Sequence, residues 1–277
     1  MHKQIVVKYL ALSCGLVLVF GNFVACGSQL YQVSMRDDFN EERSAVTNPE
    51  VSDKESTVYG IHSTSGWKRL PIYYKFGSQV NEEQRIHLRA AMKMWEVATG
   101  KKLFQIKGTD KSTGDSFDDL YSSLDDKVNG HYLDDDWKKT KKPDYVLATA
   151  IWHNDPATGA ISTADIRFNT ESYIIGDSLL LEATEDKEVV DMQSLALHEI
   201  GHLLGLAHID EDVDDLSIMN PTLYIGEGLI SRELSQGDIE RIQTIYGCEG
   251  TACNIGSVQL SLKKLQESEL TDPLNAH

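Results

Sequence analysis

His198-Glu199-Ile200-Gly201-His202-Leu203-Leu204-Gly205-Leu206-Ala207-His208 is the stretch on which the reading of this chain turns. Histidines four apart on an α-helix differ by only about 40° around the axis and about 6 Å along it, so His198 and His202 share a face. Glu199, next to the first, is placed to reach an open coordination position beside the two rings rather than the ion itself. A helix continued to His208 would carry that side chain about 240° round from His202. The helix therefore has to break first, and Gly205 can enter the left-handed region at no steric cost. Helix, glycine turn and returning histidine predict three imidazole ligands on one metal ion, with a fourth position left for water. A purely structural zinc would be closed by four protein ligands, commonly including cysteine.

The extended spacing H-E-x-x-H-x-x-G-x-x-H is the signature of the metzincin zinc proteases, which this stretch resembles. Downstream, Ser217-Ile218-Met219-Asn220-Pro221 resembles the methionine turn of that class. The resemblance implies that Met219 packs beneath the ligands and takes no part in the chemistry. Leu234 to Gly247 resembles the C-terminal helix of the matrixin catalytic domain. The same run also reads as a helix unaided. Ser235 with Asp238 suits an N-terminal cap, Leu234 and Ile239 a hydrophobic staple, and Gly247 a stop.

Upstream, Leu70 to Phe76 reads as a strand and Asn81 to Thr99 as a helix, with Glu82 and Glu83 in its first turn and Gly100 beyond its end. Ile86, Ala90, Met94 and Val97 mark the buried side of that helix. Matrixins begin in the same order, with a tryptophan near the helix end where Trp95 stands. Ala164 to Asn169 alternates like a strand and resembles the matrixin segment before the zinc helix.

The resemblance spans about Trp67 to Gly247. It implies an α+β, metzincin-type catalytic domain: a mixed twisted sheet, two long helices, an active-site helix carrying HExxH, the methionine turn and a C-terminal helix. It also implies a zinc-dependent metalloendopeptidase holding one catalytic Zn²⁺ on His198, His202 and His208, with Glu199 as general base. The partner is a protein or peptide substrate, lying antiparallel to an edge strand around Tyr145 to Trp152. The rival from another class is a surface-tethered binding or adhesion protein on a catalytically weak metzincin scaffold.

Several positions depart from the family pattern. Ile209-Asp210 follow the third histidine where matrixins commonly carry serine. The stretch from there to Met219 is acidic, with Glu211, Asp212, Asp214 and Asp215. Thr149 and Arg167 align with histidines of a second, structural zinc, so that ion is not expected. Pro221 and Tyr224 match the wall of the substrate pocket, but out of step by one residue.

The N-terminus opens with His2, Lys3 and Lys8, continues with an apolar run from Tyr9 to Phe20, and reaches Phe23-Val24-Ala25-Cys26-Gly27. This is the layout of a signal peptide, and the cysteine after Ala25 resembles a bacterial lipobox, implying lipidation of Cys26. An ordinary signal peptide with an incidental cysteine is the alternative. An exported, envelope-tethered protein permits a disulfide, and Cys248 and Cys253 form the remaining candidate pair, with two free thiols as the plainer reading. The expected organisation is a signal peptide over 1–25 and a lipidated N-terminus and linker, or short propeptide, over 26–65. The catalytic domain then covers 66–248, with an acidic insertion at about 109–142, and a tail runs over 249–277. No cysteine in Ser28 to Ser65 is available for a thiol latency switch.

A formal net charge of -17 argues against nucleic acid and against electrostatic adhesion to anionic lipid. Membrane contact is expected through the N-terminal lipid only, and the domain as a monomer. Asp115, Asp118, Asp119, Asp125, Asp126, Asp134, Asp135 and Asp136 crowd one segment. A solvated acidic loop and a Ca²⁺ site are both open readings of that cluster.

Overall fold

The computed structural model describes residues 31–34 and 59–271. The signal segment, Cys26 and most of the expected linker lie outside the described residues.

In chain order the regular elements are β1 (Tyr31–Ser34), β2 (Ile72–Phe76), α1 (Glu82–Thr99), β3 (Phe104–Thr109), β4 (Asn129–Asp134), β5 (Ala148–Asn154), β6 (Ile161–Asn169), β7 (Ile174–Gly176), β8 (Val189–Asp191), α2 (Met192–Leu204), β9 (Thr222–Ile225), α3 (Gln236–Tyr246) and α4 (Ile255–Thr271). Short 3₁₀ turns lie between them. The main sheet has the order β3-β2-β4-β6-β5. Its pairings are parallel except for β5, which runs antiparallel to β6 along one edge.

Local signals explain the helix limits. Asn81 accepts from the Gln84 amide while the Gln84 side chain returns a bond to the Asn81 amide, and Gly100 closes α1 at φ 71°. Ser235 and Asp238 make the same reciprocal cap on α3. Trp95, near the end of α1, donates its indole N–H to the Leu197 carbonyl at 3.1 Å, and Trp67 donates to Leu203 at 2.8 Å. Two indoles from distant segments thus grip the helix that carries the histidines.

The sheet has two unlike faces because successive strand residues point to opposite sides. Ala164, Ile166 and Phe168 join the apolar core together with Tyr74, Phe76, Leu195 and Ile200, and α2 lies against β5 and β6. Asp165, Arg167 and Asn169 face the other way, each fully buried. There Arg167 donates to Asp134 through Nε at 2.9 Å and Nη2 at 2.6 Å, and to the carbonyls of Asp119 and Gly114.

The span 109–142, expected as an acidic insertion, contributes to the sheet itself. Part of that acidic span is β4, a central strand paired with both β2 and β6. Its Asp134 is buried because Arg167 neutralises it. The expected tail also carries structure: α4 seats Val258 and Leu262 in the core, and Leu265 packs beside them.

Candidate metal centre

Asp191 caps α2 through its carboxylate, which accepts from the Ser194 amide at 2.9 Å. Burial pushes that carboxyl up, but Arg232 and Ser194 outweigh it and hold it below the ordinary carboxylate range. Arg232 donates to both Asp191 oxygens and to Asp177. The first turn of α2 is therefore anchored by a buried ionic cluster.

At the other end Gly205 takes φ 111° and its amide bonds back to the Gly201 and His202 carbonyls. The chain turns there and brings His208 round to the face shared by His198 and His202. The ligand atoms of the three rings all lie within 4.8 Å of one another. Among the described residues they form the one such group of three or more His, Cys, Asp or Glu side chains. His202 Nε2 stands 3.0 Å from His198 Nε2 and 3.2 Å from His208 Nε2.

The opposite ring nitrogens fix which atoms face inward. His198 Nδ1 donates to the Ile218 carbonyl at 2.7 Å, and His202 Nδ1 to the Leu206 carbonyl at 2.8 Å. A carbonyl only accepts, so each Nδ1 carries the proton and each Nε2 presents a lone pair. Burial lowers the pKa of His198 to about 4 and that of His202 well below its ordinary value. Both rings are neutral near pH 7, as metal ligation requires. Converging lone pairs repel unless a cation sits among them. Two nitrogens tetrahedrally bound to one zinc stand about 3.3 Å apart, close to the observed spacings, so the donor set fits that ion.

Beneath the rings lies the methionine turn. A Cβ on Gly201 would come within 2.3 Å of Met219 Sδ, so the glycine between the first two ligands is what lets the methionine approach. The turn is fastened from α3. Asp238 accepts from the Ser217 hydroxyl at 2.5 Å and from the Ile218 amide at 2.9 Å, and Arg241 donates to it. The same Ile218 that Asp238 holds offers its carbonyl to His198.

Sequence reasoning did not find His62. Its Nε2 donates to the His202 carbonyl at 2.7 Å, and its ring stacks on Trp152 with centroids 4.1 Å apart. It lies in the polar stretch read as linker. There the His62 and Ser63 amides bond to the Gly205 carbonyl and Ile61 bridges to Leu206. Glu199 is 1% exposed, on the turn of α2 that carries the first ligand. Of the expected pocket wall, Pro221 is half-buried and Tyr224 lies on β9, 51% exposed. Cys248 and Cys253 are joined in a disulfide with Cα atoms 5.1 Å apart.

The family model of the matrixins matches residues 66–247. The chain belongs to the matrixin family. Curated relatives of this matrixin include metalloendoproteinase 5-MMP of Arabidopsis thaliana, 51% identical over 59 residues. Metalloendoproteinase 2-MMP of the same plant is 48% identical over 58 residues. Each alignment covers 21% of this chain, and only 15% and 14% of those relatives. Among solved structures, high choriolytic enzyme 1, a hatching enzyme zinc-protease from Oryzias latipes (Medaka fish), matches at 13% identity with a TM-score of 0.34. That match covers 67% of this chain and 96% of the other.

Proposed function

We propose that this matrixin domain is a zinc-dependent metalloendopeptidase. The observation that carries the reading is the convergence of three Nε2 lone pairs, two of them aimed by carbonyls that fix the opposite nitrogen. His198, His202 and His208 would hold the zinc, which when bound lowers the pKa of a water and polarises a peptide carbonyl. Glu199 takes a proton from the attacking water and delivers it to the leaving amine. Burial favours that role, since a carboxylate screened from bulk solvent keeps its proton transfer local. An extended peptide would add as a strand to β5, which has β6 on one side and no partner strand on the other among the described residues.

For the rest of the chain the reading is export, lipidation at Cys26 and tethering to the cell envelope, the domain acting as a monomer on protein or peptide substrates. The lipobox-like run Phe23 to Gly27 supports that address.

The test is Glu199→Gln assayed against a peptide library. The variant is expected to bind zinc with parent stoichiometry while cleavage falls by about 10²-fold or more. Chelation of the parent is expected to remove cleavage and zinc repletion to restore it. Parent-level cleavage by the variant overturns the assignment.

A further inference from the structure

The last turn of an α-helix leaves its carbonyls without intrahelical donors. In α2 this is the turn between the second and third histidines, and each carbonyl from Gly201 to Leu206 is taken. The Leu206 amide reaches Gly201 and the Gly205 amide reaches His202, both at 2.9 Å. The Trp67 indole donates to Leu203 and the Tyr246 hydroxyl to Leu204, each at 2.8 Å. The His62 and Ser63 amides hold Gly205, and His202 Nδ1 holds Leu206. The His202 carbonyl has a second donor, His62 Nε2 at 2.7 Å. A carbonyl only accepts, so the proton sits on that nitrogen.

Three side chains from outside α2 thus bond to this turn among the described residues, and His62 is the one that bonds to a ligand residue. Its other attachment is to the sheet. The ring stacks on Trp152 with centroids 4.1 Å apart and planes inclined by 21°. Trp152 belongs to β5, the edge strand, and α2 packs against that strand. The backbone of His62 is itself fixed to the Gly205 carbonyl, so the ring cannot simply follow the strand. A shift of β5 against α2 has to disturb the stack, the hydrogen bond or both.

We infer that His62 is a positioning residue that sets the distance between the β5 edge and the metal ligands, its Nε2–H acting on His202 and its ring face on Trp152. It touches no reacting atom and moves no proton. The hold on His202 stands by itself. The alignment of a peptide along β5 rests on the peptidase reading above.

Two variants of the full chain separate the two attachments. His62→Phe keeps a flat ring for Trp152 but has no donor for the His202 carbonyl. Its zinc affinity, read by competition with a chelating dye, is expected to fall about tenfold, with KM for a reporter peptide near the parent's. His62→Gln keeps an N–H donor and loses the ring. Its zinc affinity is expected to stay at the parent's level while KM rises about tenfold, because the edge strand loses its register with the ligands. Zinc affinity and KM impaired alike in both variants would identify a structural cap only and overturn the proposal, as would parent-like values in both. Weaker zinc binding in the Phe variant alone, with no cleavage by any chain, supports the hold on His202 and overturns the peptidase reading. Trp152→Leu leaves His62 in place and is expected to reproduce the rise in KM at the parent's zinc affinity. An unchanged KM there overturns the proposal even where a His62 variant is too unstable to assay.

Discussion

On the far face of the sheet Arg167 and Asp134 meet with both side chains at 0% exposure. On the α2 side His198, His202 and His208 meet with comparable burial of the first two. The clusters differ in completeness. The guanidinium makes four hydrogen bonds, to a carboxylate and two carbonyls, and its charge is cancelled where it stands. His198 and His202 are held from behind by carbonyls, and the Nε2 atoms of the three rings converge on one another. One cluster is closed by the chain alone and the other calls for a cation. Buried charges that cancel each other are architecture, whereas ligand atoms gathered on one point are a site.

The largest effect that would test this contrast is on the closed side. Arg167→Met strands the Asp134 carboxylate in the interior and is expected to cost about 3–5 kcal/mol in urea unfolding. Adding Asp134→Asn should recover much of that loss, because the uncompensated charge goes with it. A single variant as stable as the parent would mean that the arginine does not close the cluster.

On the open side the corresponding change is Asp238→Asn, which weakens the grip on Ser217 and Ile218 and so the aim of His198. Zinc affinity is expected to fall about 10–100-fold, read by competition with a chelating dye. Unchanged affinity would mean that the turn held by Asp238 does not set the aim of His198.

At neutral pH the smallest effect is expected from His131, whose ring lies in the core between Tyr74 and Phe168. Neither of its nitrogens has a hydrogen-bond partner among the described residues. Burial lowers its pKa to about 3. The unfolded chain therefore takes up this proton near pH 6.5 and the folded chain does not until about pH 3. The sign follows: this histidine erodes stability as pH falls through that window and has no such effect above it. His131→Phe should flatten the slope of stability against pH between those limits while leaving the neutral-pH fold in place. An unaltered slope would mean that the ring is reached by water in the native state.

What could be read in the sequence was whatever depends on near neighbours. The cap at Ser235 and the stops at Gly100, Gly205 and Gly247 are local, and each stands where it was expected; Asn81, read as the first helical residue, is the cap of α1 instead. The rest depends on distant partners. β4 was hidden because Asn129–Asp134 ends in acid, and Asp134 becomes a core residue only when Arg167, 33 positions away, is paired with it. His62 gave no signal, as its place is set by Trp152 and the His202 carbonyl. Asp238 was legible as a cap, but its hold on the methionine turn spans 20 positions and is tertiary. The strand of 31–34 is too short for periodicity to reveal.

Family likeness ends at residue 247, but the fold does not. Beyond the seam marked by Cys248 and Cys253, α4 lays Val258 and Leu262 against the body of the protein, and the Gln266 side chain donates to the carbonyl of Arg232. That arginine anchors the start of the histidine helix through Asp191. The inherited unit and the unit that folds are thus of different lengths. A segment transplanted at the family border would carry every catalytic letter and still arrive with an open apolar flank, so here modularity has to be judged by packing rather than by kinship.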